Sequence, residues 1–250
     1  MSKSFFLSII LFFGTLSAQK QLHIKYMNVR SSIANVYEDL YTNGIHVISK
    51  QDGNIMYTNP EYDKKNKGKD YFFISNINSN TKDSKDFLFT ESIGYSSESD
   101  YLVHDRVPKI NWLIDENSTK SILGYECIKA TAIFRGSDIT AYFAKKIPYS
   151  VGPFKFYGLP GAILDVRVDR QNYDLWKAVK IETDNTDKIE YKPQFSDFEK
   201  VQMRKLIELK DKDRERFSNT ITVPGSTGKS VGKRFGVEKV FEWETQSTDK

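Results

Sequence analysis

Alternation of apolar and polar side chains constrains this chain more than any other feature. In "YECIKATAIF" the residues Ile128, Ala130, Ala132 and Phe134 share one face. After "RGSD", the run "ITAYFA" places Ile139, Ala141 and Phe143 on one face. A period of two marks a half-buried strand, and two such runs about a short turn make an antiparallel hairpin. The pattern begins early, where "LHIKYMNVR" sets Leu22, Ile24 and Tyr26 against His23, Lys25 and Met27. It continues in "VYEDLYTNGIHVISK", where Asn43-Gly44 is predicted to form a type I′ turn. Further strands are expected in "IMYTN", "DYFFISNI", "DFLFTESIGY", "AILDVRV", "YDLWKAVKIET" and "VEKVFEWET", and in "KINWLID" with Pro108 marking its start. "EYDKKNKGKD" reads as a solvated loop and "TVPGSTGKSVGKRFG" as a basic one.

One helix is expected over residues 196–217. Ser196 and Glu199 have the spacing of a capping box, and Phe198, Val201, Leu206 and Leu209 follow at helical spacing. Many strands with one helix predict an α+β fold, mostly antiparallel β, with a curved sheet or partial barrel wrapped around the helix. Aromatic residues make up 14% of the chain, which suits a pleated, half-buried surface.

Residues 1–18 stand apart. Lys3 precedes the apolar run Phe5–Gly14, and the segment closes on small residues ending at Ala18. These are the parts of a signal peptide, and the run is shorter than a membrane-spanning helix requires. Residues 19–250 then form a single domain, soluble in the periplasm or secreted, with no transmembrane helix after cleavage. The chain holds 37 basic and 33 acidic residues, and loss of Lys3 lowers the net charge from +4 to +3. The charges are mixed, so nucleic acid is not an expected partner. With 1 cysteine in the sequence, an internal disulfide is excluded.

Candidate chemistry is sparse. "GSTGKS" evokes a phosphate loop, but Val223 stands where the leading glycine belongs. Cys127 has no cysteine-enzyme signature around it, and His23, His46 and His104 are scattered. No histidine or cysteine pair has metal-ligand spacing, so no metal and no cofactor is expected. Acids such as Glu38 and Asp39, or Asp165 and Asp169, read as strand-surface residues. The densest stretch is "GPFKFYGLPGAILDV". Pro160-Gly161 suits a type II turn, Gly152-Pro153 another, and Gly158 allows a close approach to a neighbouring ring. Phe154, Phe156 and Tyr157 either pack beneath this corner or line a ligand cleft.

Here the chain resembles the GLPGLI family. The motif reads Gly158-Leu159-Pro160-Gly161-Ala162-Ile163, with Ala162 in place of leucine. Trp112, Gly124-Tyr125, Cys127, Lys129-Ala130, Arg135-Gly136, Tyr142, Ile147-Pro148, Gly152-Pro153 and "EDLYTNG" extend the likeness. The resemblance implies an exported Bacteroidota envelope protein and supplies no catalytic residue. Some members are encoded beside TonB-dependent outer-membrane receptors, which implies such a receptor or another envelope protein as partner. The expected role is non-enzymatic binding or assembly, with a lipid, peptide, other apolar ligand or outer-membrane protein at Phe154, Phe156, Tyr157, Gly158, Leu159, Pro160 and Gly161. The alternatives are a structural partner subunit, or a hydrolase-type enzyme using Cys127.

Overall fold

The computed structural model describes residues 20–31, 34–51, 53, 56–57, 70–77, 83–93, 99–220 and 234–245, and the statements below concern these. The segment Met1–Ala18, most of the loop from Glu61, and "GSTGKS" lie outside them. Thirteen strands form one sheet. In chain order they are β1 (Gln21–Ser31), β2 (Ala34–Thr42), β3 (His46–Gln51), β4 (Met56–Tyr57), β5 (Tyr71–Asn76), β6 (Ser84–Ile93) and β7 (Ser99–Pro108). There follow β8 (Leu113–Ile122), β9 (Tyr125–Phe134), β10 (Ser137–Ala144), β11 (Ala162–Val168), β12 (Leu175–Asn185) and β13 (Glu199–Gln202). The long helix α1 (Met203–Thr220) and the one-turn α2 (Glu242–Thr245) complete the chain.

The sheet runs β13-β7-β6-β5-β3-β2-β1-β12-β11-β10-β9-β8, with β4 on β2. All pairings are antiparallel except β13 on β7. The sheet is open but curls, so that its two limbs share one core. Phe87 and Val107 of one limb pack in the same apolar cluster as Phe134, Ile139 and Phe143 of the other. A second cluster, with Phe89, Val103, Leu206 and Phe241, lies under α1. The α+β, mostly antiparallel architecture matches the alternation in the sequence. Leu22, Ile24 and Tyr26 are all buried, as are Ile139, Ala141 and Phe143.

The local departures have physical reasons. Thr42 pairs with Val47, and of the loop residues only Gly44 has a positive φ, +87°. The Asn43 side chain instead accepts hydrogen bonds from the N–H groups of Ile45 and His46, so this is an Asx-type loop and not a type I′ turn. Type I′ geometry occurs at two other hairpins. Leu123 and Gly124 have φ of +50° and +82°, and Arg135 and Gly136 have +43° and +80°. Leucine and arginine are unusual there.

Helix α1 begins at Met203, later than the Ser196–Glu199 spacing predicts. Residues 199–202 pair with the free edge of β7 instead, and Ser196 hydrogen-bonds the Asp197 side chain. The tail "VEKVFEWET" forms a strap ending in α2 in place of a strand. Pro108 closes β7, and β8 starts only at Leu113, because the Trp112 indole N–H donates to the Tyr157 carbonyl at 2.8 Å and holds the link inward.

Candidate functional site

The corner between β10 and β11 is built by steric necessity. A Cβ on Gly161 would sit 2.3 Å from the Ala144 carbonyl oxygen, so only glycine lets the two backbones meet. Gly158 carries the positive φ, +96°, and its N–H donates to Ser150 Oγ at 3.0 Å. Gly158 lies against the Trp112 ring, 3.7 Å from where its Cβ would be, as expected, whereas Gly161 has no positive φ and so is not the third residue of a type II turn; it makes the close backbone approach instead. Phe156, Tyr157, Leu159 and Gly161 are buried, while Gly158 and Pro160 are exposed. The Tyr157 hydroxyl donates to the Val107 carbonyl at 3.0 Å, which ties the corner to the opposite limb.

Phe154 is different. It is half-buried and has a φ of +55°, a left-handed conformation that costs a side-chain-bearing residue of order 1–3 kcal/mol. Its N–H donates to Glu38 Oε1 at 2.8 Å. Glu38 is fully buried and also accepts from the Trp176 indole N–H at 3.0 Å, from Gln51 at 3.3 Å and from the Ser49 hydroxyl. Burial pushes the Glu38 carboxyl above its ordinary range, and these four donors only partly offset it. The Phe154 ring stacks on Trp176, with centroids 5.6 Å apart.

Beside Phe154, Lys155 enters a buried ion cluster. Asp105 of β7 receives the Lys155 ammonium at 2.7 Å and the Arg135 guanidinium through two hydrogen bonds, of 2.7 and 2.8 Å. Glu238 of the strap contacts both cations, and Glu242 adds a bond to Arg135 at 3.0 Å. Burial opposes the charge on Asp105, but Lys155 and Arg135 hold its carboxyl down to about 2. The type I′ turn therefore has a purpose. It turns Arg135 inward, where the cluster joins the corner, both limbs and the strap.

Between the two apolar clusters lies a cavity of about 280 Å³. Phe154, Trp176, Phe73 and Asn28 line one side, and Leu206 of α1 and Phe241 of the strap line another. Three buried side-chain atoms lack a hydrogen-bond partner among the described residues: Asn28 Oδ1, Ser137 Oγ and Arg167 Nε. Of these residues only Asn28, opposite Trp176 in the β1–β12 ladder, borders this cavity. A sequence signal did exist for it. Asn28 falls in phase with Leu22, Ile24 and Tyr26, a polar residue on an apolar face.

Cys127 sits in surroundings that disfavour a nucleophilic thiolate. It is completely buried, and burial pushes its thiol up to about 11, away from the thiolate that catalysis needs. None of the histidines hydrogen-bonds it. His23 is clamped between Asp39 and Glu182, at 2.7 Å each, and His104 bonds Asp86 at 2.9 Å. Burial would lower the His23 pKa, but the two carboxylates raise it. Among the described residues no group of His, Cys, Asp or Glu side chains could hold a metal ion, and no helix is long and apolar enough to cross a membrane.

One match to known proteins falls on this same region. Residues 135–165 match the Porph_ging family, described as a protein of unknown function. That stretch runs from the inward-turned Arg135 through the corner to β11, and it contains the motif on which the family resemblance rests. Two structures of PNGF-II, in P21 and C2 space groups, are similar in fold. Each has a TM-score of 0.50, with 12% and 13% identity over 78% of this chain. They cover 34% and 33% of the PNGF-II chain, so this protein spans about a third of that length. At such identity the likeness concerns the fold alone. No curated protein matches the chain.

Proposed function

We propose that this protein is an exported, non-enzymatic binding protein that holds a small ligand between the concave face of its sheet and α1. One observation carries the reading: a cavity of about 280 Å³ opens beneath α1, walled by the rings of Phe73, Phe154 and Trp176. The strained Phe154 beside it fits a contact residue. In this reading Phe154 touches the ligand, while Phe156, Tyr157, Gly158, Leu159, Pro160 and Gly161 hold its backbone in place. A volume of about 280 Å³ is at the lower end for ligand pockets, so a compact molecule suits it better than a lipid or long peptide. Export and a periplasmic or secreted location rest on the leader Met1–Ala18. An outer-membrane partner, such as a TonB-dependent receptor, rests on the family resemblance.

Native mass spectrometry of the full chain purified from its own periplasm tests this. The expected result is a non-covalent adduct of a few hundred daltons, lost when Leu206→Trp fills the cavity. A bare protein that also takes up no small molecule added in excess would overturn the reading.

A second reading, a structural partner subunit, draws on one patch. Leu113 and Ile133, 75% and 74% exposed, lie on the same face of β8 and β9 at the open edge of the sheet. Under that reading the L113K/I133K double variant folds normally but loses a co-purifying envelope protein. Unchanged co-purification would remove the patch from consideration.

A further inference from the structure

A second concavity lies on the opposite face of the sheet from the inner cavity. Successive residues of a strand point to opposite faces, and the strands here divide accordingly. Phe73 of β5 lines the inner cavity, whereas Ile74 lines an outer groove. Phe89 and Leu88 of β6 divide in the same way. The groove holds about 700 Å³, within the range of ligand sites. Its far wall is the segment from Tyr191 to Ser196, between β12 and β13. That wall is anchored at both ends. The Tyr191 hydroxyl donates to Gln21 Oε1 at 2.6 Å, and the Phe195 ring meets Phe72 and Phe198 at 5.4 and 5.3 Å between centroids.

The floor is an apolar stripe. Ile74 pairs with Leu88 across β5 and β6, and Leu102 of β7 lies diagonal to Leu88. Lys200 of β13 pairs with Leu102, which puts an ammonium group at the sheet-edge end of the stripe. Leu88 is 40% exposed, and Ile74 and Leu102 are half-buried, so the stripe keeps apolar surface for a partner to cover.

The charges fix the sign of that partner. Asp86 is the one acid lining the groove among the described residues, and it is already engaged by His104 Nε2 at 2.9 Å, with Arg106 Nε 3.8 Å away. Lys192 and Lys200 also line the groove, and neither has a carboxylate partner among the described residues. An engaged acid beside two unmatched lysines leaves the groove positive. An apolar floor that ends on a cation suits an amphipathic anion. A neutral chain would leave both ammonium groups unanswered, and a cationic one would be repelled by them.

We propose that this outer groove binds an aliphatic monocarboxylic acid, with its chain along Leu102, Leu88 and Ile74 and its carboxylate at Lys200. Decanoate and decylammonium are probes with the same chain length and opposite charge. Titration calorimetry on the full chain, below the micelle concentration of either probe, should show decanoate binding about tenfold tighter, because the same lysines attract one probe and repel the other. Acetate, which lacks the chain, should not displace decanoate. Lys200→Glu should reverse the preference between the two probes, and Leu88→Asp should weaken decanoate by about tenfold or more. Both side chains are exposed, so both variants should fold. Leu206→Trp, which fills the inner cavity, should leave decanoate binding unchanged. Equal binding of the two probes, or no binding of decanoate, overturns the proposal and leaves the inner cavity's reading standing. Decanoate binding that survives Leu88→Asp but is lost with Leu206→Trp also overturns it, since the acid would then occupy the inner cavity.

Discussion

The corner at Gly152–Gly161 and the cavity beside it share Phe154, yet they are built to opposite rules. In the corner the backbone groups find partners: Ala162 N–H donates to Ile147, Ile163 N–H to Val151 and Gly158 N–H to Ser150. Its glycines are demanded by contacts at 2.3 Å and 2.9 Å. At the cavity an aromatic residue, Phe154, is held in a left-handed conformation. The most recognisable stretch of this sequence is thus the one whose backbone groups satisfy one another. The residues that could meet a ligand are dispersed along the chain at Asn28, Phe73, Trp176 and Leu206.

Four substitutions test this contrast. The largest effect is expected from Asp105→Ala, which leaves Arg135 and Lys155 buried with less negative charge than they need. A loss of about 3–5 kcal/mol in denaturant unfolding is expected. A loss below about 1 kcal/mol would mean that the cluster is not what ties the corner to both limbs. Next is Gly161→Ala, where the added Cβ meets a backbone carbonyl and not a yielding side-chain tip. It should cost about 3 kcal/mol, at the upper end for overpacking, and native-state hydrogen exchange should rise at Ala162 and Ile163.

Lys85 tests the corner from below. Its ammonium lies 5.2 and 5.3 Å from the ring centroids of Phe87 and Tyr157, with no carboxylate paired to it among the described residues, and burial pushes its pKa down to about 8. The folded pKa is below the unfolded value of about 10.4, so the cost is fully present below pH 8. That cost is relieved as pH rises between the two values. Lys85→Met should therefore stabilise the fold by about 2 kcal/mol at pH 7, and should abolish the gain in stability that the natural chain shows above pH 8. The smallest effect is expected at Asn28. N28L should change stability by less than about 1 kcal/mol, since it removes an unpaired acceptor. A loss of several kcal/mol would show that Asn28 serves the fold and not a ligand.

Much of the fold was legible because strand pairing obeys a period of two, and a chain of short hairpins leaves few ways to order them. Helix α1 was displaced by several residues because a local signal, Ser196 with Glu199, competed with a non-local one, the unpaired edge of β7. The non-local signal won, and no window of sequence contains it. The buried polar residues show a more useful regularity. Asn28, Glu38 and Asp105 each occupy an inward phase of an alternating strand, flanked by Tyr26, by Val36 and Leu40, and by Val103 and Val107. A polar residue on an apolar phase announces an interior requirement, although not which one. Glu38 and Asp39 read as surface acids from composition, yet Glu38 is in the core. Lys155 carried no such mark, because it lies in an irregular segment where alternation has no meaning.

The inward turn at Arg135 also bears on the order in which the chain can become native. Arg135 and Lys155 are synthesised before the acid that helps neutralise both, since Glu238 follows Arg135 by 103 residues. The strap brings more than charge, because the N–H groups of Lys239 and Val240 donate to the Arg135 carbonyl at 2.8 and 3.0 Å. A nascent chain lacking the strap has two cations for the single carboxylate of Asp105, so its limbs cannot close around a neutral centre. The centre of the core therefore becomes charge-balanced only with the strap in place.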